Sequence, residues 1–324
     1  MTPETINTNG QTSPPPGGVL TLVTTLVRQA VFGALTVSAI SLLSFCFRYA
    51  LAETGEAERA RYGAAQDTPL KFTPVSLQDG SRLTLISPQH WSDIADEVSR
   101  EVTKTHTELS ALFGSIPAFR SSVRLMDERA FYELTGAPGW TNAMFFRGEI
   151  IIPLSTSQPI DLENIHRSVK HEYSHAVLSA LSNGRIPGWI DEGLAQWAEG
   201  EENPALRSTL KYYLRSHDPV PLAYLQGGFT KLEPTMVPAA YAQSLLAAQS
   251  MIKAYGIERI GVYLSMLRND VDKYEAFEAA FGISQDIFEK KLDSTLKAWA
   301  QPAKHRPRAM MVKTTRDLNA DSEH

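Results

Sequence analysis

The feature that most constrains this chain is a pair of histidines four residues apart inside a stretch with helical periodicity, His171-Glu172-Tyr173-Ser174-His175. Around it Ile165, Val169, Ala176, Val177, Ala180 and Leu181 recur every three to four residues, Asp161 is placed to cap the start, and Asn183-Gly184 to stop the run. The pattern predicts one amphipathic helix. Residues four apart on a helix are separated by about 40° around the axis and about 6 Å along it, so both imidazoles can reach a single metal ion. Glu172 follows His171 by about 100° and can sit beside the ion's open position, where a carboxylate polarises a water rather than ligating. The plainer reading is two surface histidines on an amphipathic helix, and the context of the motif has to separate the two.

A third donor is needed for a catalytic site. The chain contains a single cysteine, Cys46, which rules out both an intramolecular disulfide framework and a cysteine-based zinc cluster, so any metal must be held by histidine and carboxylate. Downstream, Pro187-Gly188-Trp189-Ile190-Asp191-Glu192-Gly193-Leu194-Ala195-Gln196-Trp197 starts like a helix and presents Glu192 in its first turns. The first helix runs on for about two turns, roughly 10 Å, beyond the histidines, and the loop after it is long enough to double back. Two histidines and a glutamate with one place left for water form the ligand set of a catalytic zinc site. Glu192 as an exposed helix-start carboxylate is the alternative.

On these residues the chain resembles the gluzincin metallopeptidases, and among them the peptidase MA-like group: the HEYSH motif is followed by the pattern P-x-W-x-x-E-G-L-A-x-W. Tyr241-Ala242-Gln243-Ser244, a helix ending at Tyr255-Gly256, Ala276 to Gly282 and a final amphipathic helix are similar to the helical C-terminal part of such proteins, so the likeness spans roughly residues 70–300. The resemblance implies a zincin-like α+β fold, with a mixed sheet and helices first and a mainly helical part after. It also implies Zn2+ held by His171, His175 and Glu192, with Glu172 as the catalytic base. Thermolysin-like members place an aspartate four residues after the ligand glutamate to support one histidine; here that position is Gln196, and Asp191 is the replacement to consider, or simply a charge at a helix start. Aminopeptidase-type members use a downstream tyrosine for the oxyanion, for which Tyr241 is the match.

The rest of the chain divides by composition. Residues 1–29 open with a Thr, Pro, Gly and Asn-rich tail, and residues 30–47 are eighteen positions without a charge, enough for one membrane-spanning helix. An uncleaved anchor is expected; the alternative is the apolar core of a signal peptide, for which Ala50-Leu51-Ala52 offers a cleavage pattern. Residues 48–69 read as a linker, 70–300 as the folded domain, and 301–324 as a C-terminal tail. Within the domain, Lys71-Phe72 and Arg82 to Ile86 read as strands about an Asp79-Gly80 turn, Ser92 as the cap of a helix ending at Gly114, and Val123 to Met126 and Met144 to Leu154 as further strands, the latter turning at Arg147-Gly148. A net charge of −5 spread along the chain argues against a nucleic-acid partner.

The expected protein is therefore a single-pass membrane zinc peptidase. It hydrolyses peptide bonds of a peptide or protein substrate with a zinc-activated water and Glu172 as general base. The domain is expected on the extracytoplasmic side, although Arg48, Arg59 and Arg61 after the span outnumber Arg28 before it and favour the opposite orientation. The strand around Phe145 to Ile152, just before the motif helix, is the candidate for pairing with an extended substrate. The alternative function is a membrane-anchored binding or scaffold protein stabilised by zinc and without activity.

Overall fold

The computed structural model describes residues 69–137, 141–200, 204–229, 232–233 and 235–301. β1 (Leu70–Ser76) and β2 (Arg82–Pro88) form an antiparallel hairpin, turned by Gly80 at φ 86°. Helix α1 (Ser92–Phe113) leads to β3 (Arg120–Asp127), which lies parallel to β2. A short helix α2 (Glu128–Thr135) precedes β4 (Met144–Phe146) and β5 (Glu149–Leu154), with β5 parallel to β3 and β4 antiparallel to β5. The strand order β1-β2-β3-β5-β4 makes a mixed sheet with β4 at one edge. The Arg147-Gly148 link between β4 and β5 has positive φ at both residues, the geometry a two-residue hairpin requires.

Alternation along the strands separates two apolar faces. Leu83, Leu85, Val123, Leu125, Ile150 and Ile152 meet Val98 and Val102 of α1 and the following helices, whereas Met126 and Ile151 point the other way, onto Phe131 of α2. Helix α3 (Leu162–Ser182) lies against α1 on the main face. Beyond it come α4 (Gly188–Ala198), α5 (Pro204–Tyr213), α6 (Val237–Tyr255), α7 (Ile257–Arg268), α8 (Lys273–Phe281) and α9 (Gln285–Ala300). Helix α6 packs along α4 and α7 packs on α3, so the helical part closes over the far half of the motif helix. Trp189, Tyr263, Phe277 and Phe288 form its aromatic centre. This is the expected α+β arrangement.

Two local expectations are corrected. Ser92 does not cap α1: it is already helical, the cap position is the buried Trp91 without a side-chain bond, and a 3₁₀ turn precedes it, so packing of the indole sets where the helix starts. Helix α2 was not expected between β3 and β4. It is short and begins where Asp127 accepts hydrogen bonds from the backbone N–H groups of Arg129 and Ala130. Elsewhere the caps follow expectation: Asp161 accepts from the Asn164 N–H at the start of α3, and Asn183 takes the left-handed conformation at its end. Gly114 ends α1 where expected, with φ 77° and a ψ of −138° that lies outside the left-handed helical region.

Among the described residues no helix is long and apolar enough to cross a membrane. The expected tail 1–29, the span 30–47, almost all of the linker 48–69 and all but the first residue of the 301–324 tail lie outside the described residues.

Candidate metal centre

Helix α3 is buried on nearly every side through its second half, and His171 and His175 are 1% and 3% exposed, which removes the surface-histidine reading. Their Nε2 atoms lie 3.1 Å apart. Helix α4 brings Glu192 to them: its Oε2 stands 3.7 Å from His171 Nε2 and 3.9 Å from His175 Nε2. Glu192 is itself buried, so it is not an exposed helix-start charge. A tetrahedral ion bound at 2.0–2.1 Å has ligand atoms about 3.3 Å from one another, close to these separations.

The outer nitrogens explain why the inner ones converge. His171 Nδ1 meets Glu199 Oε1 at 2.5 Å, and His175 Nδ1 meets Asp191 Oδ1 at 3.0 Å. When each ring gives its Nδ1 proton to a carboxylate, each Nε2 is left with a bare lone pair, and the two lone pairs face each other beside the Glu192 carboxylate. That arrangement is repulsive unless a cation lies between them. The same imbalance appears in the titration of the rings. Burial alone would lower the His171 imidazole, yet Glu192, Glu199 and Glu172 hold it well above the usual histidine value. Burial likewise works against His175, which Asp191 and Glu192 nevertheless raise to about 9. The donor types, their spacing and this surplus of negative charge fit a zinc ion.

Glu172 is fully buried, and among the described residues neither carboxylate oxygen has a side-chain hydrogen-bond partner. Burial raises it to about 7 against the pull of His171 and His175; the Phe145 backbone N–H on β4 also favours its ionised form. The edge strand therefore runs past the carboxylate expected to be the base.

Each support has a local cause. Tyr173, wholly buried on the far side of α3, bonds through its hydroxyl to His106 Nδ1 of α1 at 2.9 Å, and His106 Nε2 lies 3.3 Å from Asp79 Oδ2 in the β1–β2 turn. Asp79 also accepts from Ser81, whose Oγ accepts from the Phe119 N–H, so a polar chain ties the back of α3 to α1 and the sheet. On α4, Gly193 is required: a Cβ there would collide with the Ser244 carbonyl of α6. Gly188 is likewise pressed on the Gly227 carbonyl. Gln196, where the resemblance implied an aspartate, reaches no histidine among the described residues. Its Nε2 donates to the carbonyls of Glu192 and Tyr241, 3.1 Å from each, and so staples α4 to α6.

The structure thus brings His171, His175, Glu192 and Glu172 together, with Asp191 against His175. Tyr241 lies on α6 beside α4, its ring buried against Phe229 and its carbonyl tied to Gln196. The residue that sequence reasoning missed is Glu199. It lies seven positions after Glu192, about 20° away around the helix, so a search for carboxylates two turns on from the ligand would have found it.

The chain spans about half the length of the solved structures it matches. An M1 zinc metallopeptidase mutant from Deinococcus radiodurans bound to a Tyr-Ser-Ala substrate is 17% identical with a TM-score of 0.42, over 74% of this chain and 53% of that one. The M1 zinc metallopeptidase from the same organism gives 17% identity and a TM-score of 0.39, over 72% and 52%. No curated protein matches in sequence. The family model for the peptidase MA superfamily matches residues 125–298, more than half of the chain and all of the centre just described, and the chain belongs to the peptidase MA superfamily.

Proposed function

We propose that the chain is a membrane-anchored, zinc-dependent peptidase of gluzincin type, with His171, His175 and Glu192 as metal ligands and Glu172 as general base. The observation that carries this reading is the Glu172 carboxylate: fully buried, without a side-chain hydrogen-bond partner among the described residues, and next to three converging metal donors. A carboxylate kept in that state costs folding free energy, and a catalytic role accounts for its retention.

When bound, zinc supplies a Lewis acid that polarises a carbonyl and acidifies water toward a pKa of about 7. The residues of the chain do the rest. Glu172, itself at about 7, accepts a proton from the attacking water on a carboxylate oxygen and returns it to the departing amine. Asp191 and Glu199 hold each imidazole in the tautomer that turns Nε2 inward. Tyr241 is assigned as the donor to the developing oxyanion. An extended peptide pairs with the outer edge of β4, which places its backbone beside Glu172.

Residues 30–47 anchor the protein, with the domain on the extracytoplasmic side. Protease added to spheroplasts should digest the domain, and full protection once access is verified places it in the cytoplasm. For activity, full-length protein is assayed for metal and for cleavage of a peptide library. Cleavage should stop with a chelator and return with zinc. Zinc-replete protein that cleaves nothing in a broad screen would establish the scaffold alternative.

A further inference from the structure

The sheet face turned away from the metal centre is only partly covered. The register carries Phe72 beside Ile86, Ile86 beside Arg124 and Arg124 beside Ile151. Helix α2 covers this face over Ile151 and Met126, but Phe72 at the β1 end is 62% exposed. At the strand ends of the same face, Arg82 and Arg120 are register partners, both exposed, and neither has an ion-pair partner among the described residues. Arg147 adds a third cation. It precedes Glu149 by two residues as Arg120 precedes Ser122, the register partner of Glu149, and its guanidinium lies over Phe146, which pairs with Glu149. The acid in this part of the register, Glu149, is already held by Arg124, 2.9 Å away.

We infer that this face of the sheet docks on anionic phospholipid headgroups, with Arg82, Arg120 and Arg147 at one end of the strands as its charges and Phe72, four residues along β1 from the level of Arg82, as its apolar contact. Cations along one end of the face and an exposed aromatic at its other end match the boundary between headgroups and acyl chains, whereas a soluble polyanion would have no use for Phe72. Position in the chain supports the same occupant. β1 follows the proposed anchor by the 22 residues 48–69, a tether of at most about 75 Å, so the face stays at high effective concentration near the bilayer. Docking by this face leaves the metal centre, on the opposite side of the sheet, open. Three arginines near an anionic surface contribute on the order of a hundredfold in occupancy. The inference rests on the proposed anchor and not on peptidase activity.

The test is hydrogen–deuterium exchange on full-length protein with vesicles of phosphatidylcholine, alone or with phosphatidylglycerol, with zinc content read in the same samples. Amides of Leu70–Ser76 should exchange on the order of tenfold more slowly with phosphatidylglycerol present, with the protection lost in high salt and no change in Gln285–Ala300. The triple variant Arg82→Gln/Arg120→Gln/Arg147→Gln, whose changes are all exposed, should lose the difference, and Phe72→Ser should reduce it. Equal exchange with both lipids, protection that survives the triple variant, or failure to associate with either vesicle overturns the inference. Equal protection by soluble tripolyphosphate also overturns it, since that result describes a polyanion site and not a membrane surface.

Discussion

The two helices that supply the metal donors are held by different means. Helix α3 is fixed by its own side chains: Val169, Tyr173, Val177 and Leu181 are buried among α1, the sheet and α7, and the Tyr173–His106 bond adds a polar tie at the back. Helix α4 also buries Trp189, Ile190 and Leu194, but its approach to α6 is set by the backbone. Gly193 lets α6 approach to contact distance, and Gln196 binds one carbonyl on each helix. Side-chain packing of the first kind tolerates the loss of a methyl or two and relaxes around it. A contact between two backbones has no such freedom, because neither partner can rotate out of the way. The motif helix should therefore survive changes that the second ligand helix does not.

The largest effects should come from the donors, where the helices behave alike. His171→Ala, His175→Ala and Glu192→Ala should each lose most bound zinc and all measurable hydrolysis, read by metal analysis beside turnover. Zinc held by Glu192→Ala as tightly as by the parent would move the third ligand elsewhere. Next is Tyr241→Phe, expected to lower kcat by about a hundredfold with zinc unchanged, by analogy with loss of one oxyanion donor; unaltered turnover would make the residue one of packing.

The outer carboxylates rank below these. Glu199→Gln should weaken zinc binding by roughly 10–100-fold in a chelator competition. Asp191→Asn should cost less, because the Asp191 side chain is 28% exposed and that of Glu199 only 9%, so water can partly replace the former. The reverse ranking would mean that burial does not govern these contacts.

The contrast between helices is tested most finely by two stability variants. Leu181→Ala on α3 should lower stability by about 2–5 kcal/mol and leave zinc affinity near that of the parent. Gly193→Ala, at roughly 1–3 kcal/mol, should lower zinc affinity as well, because it pushes α4 off α6 and carries Glu192 with it. If both variants bound zinc equally well, the distinction between side-chain and backbone support would fail.

How much of this was legible beforehand follows from the range over which each cause acts. Helix α3, its caps and its histidines could be read because capping, periodicity and the four-residue spacing are local. Glu192 was readable from chain reach and ligand chemistry. Trp91 in place of Ser92 at the start of α1 was not readable, since burial of the indole depends on distant residues. The brief α2 carries too few turns for its periodicity to stand out. Gly193 and Gln196 could be seen in the sequence, but not their purpose, which exists only once α6 lies against α4. Glu199 carries no local signal of its role in the sequence, because its purpose appears only where α4 packs beside His171 of α3.

The central claim is that metal binding and proton transfer reside in adjacent residues of one helix, and Glu172→Gln separates them most directly. The substitution preserves size and touches no ligand, so zinc content should match the parent and the variant should stay folded. Peptide hydrolysis should fall by at least about a hundredfold, the usual worth of a positioned general base. A glutamine variant that kept its zinc and its full rate of hydrolysis would contradict the account.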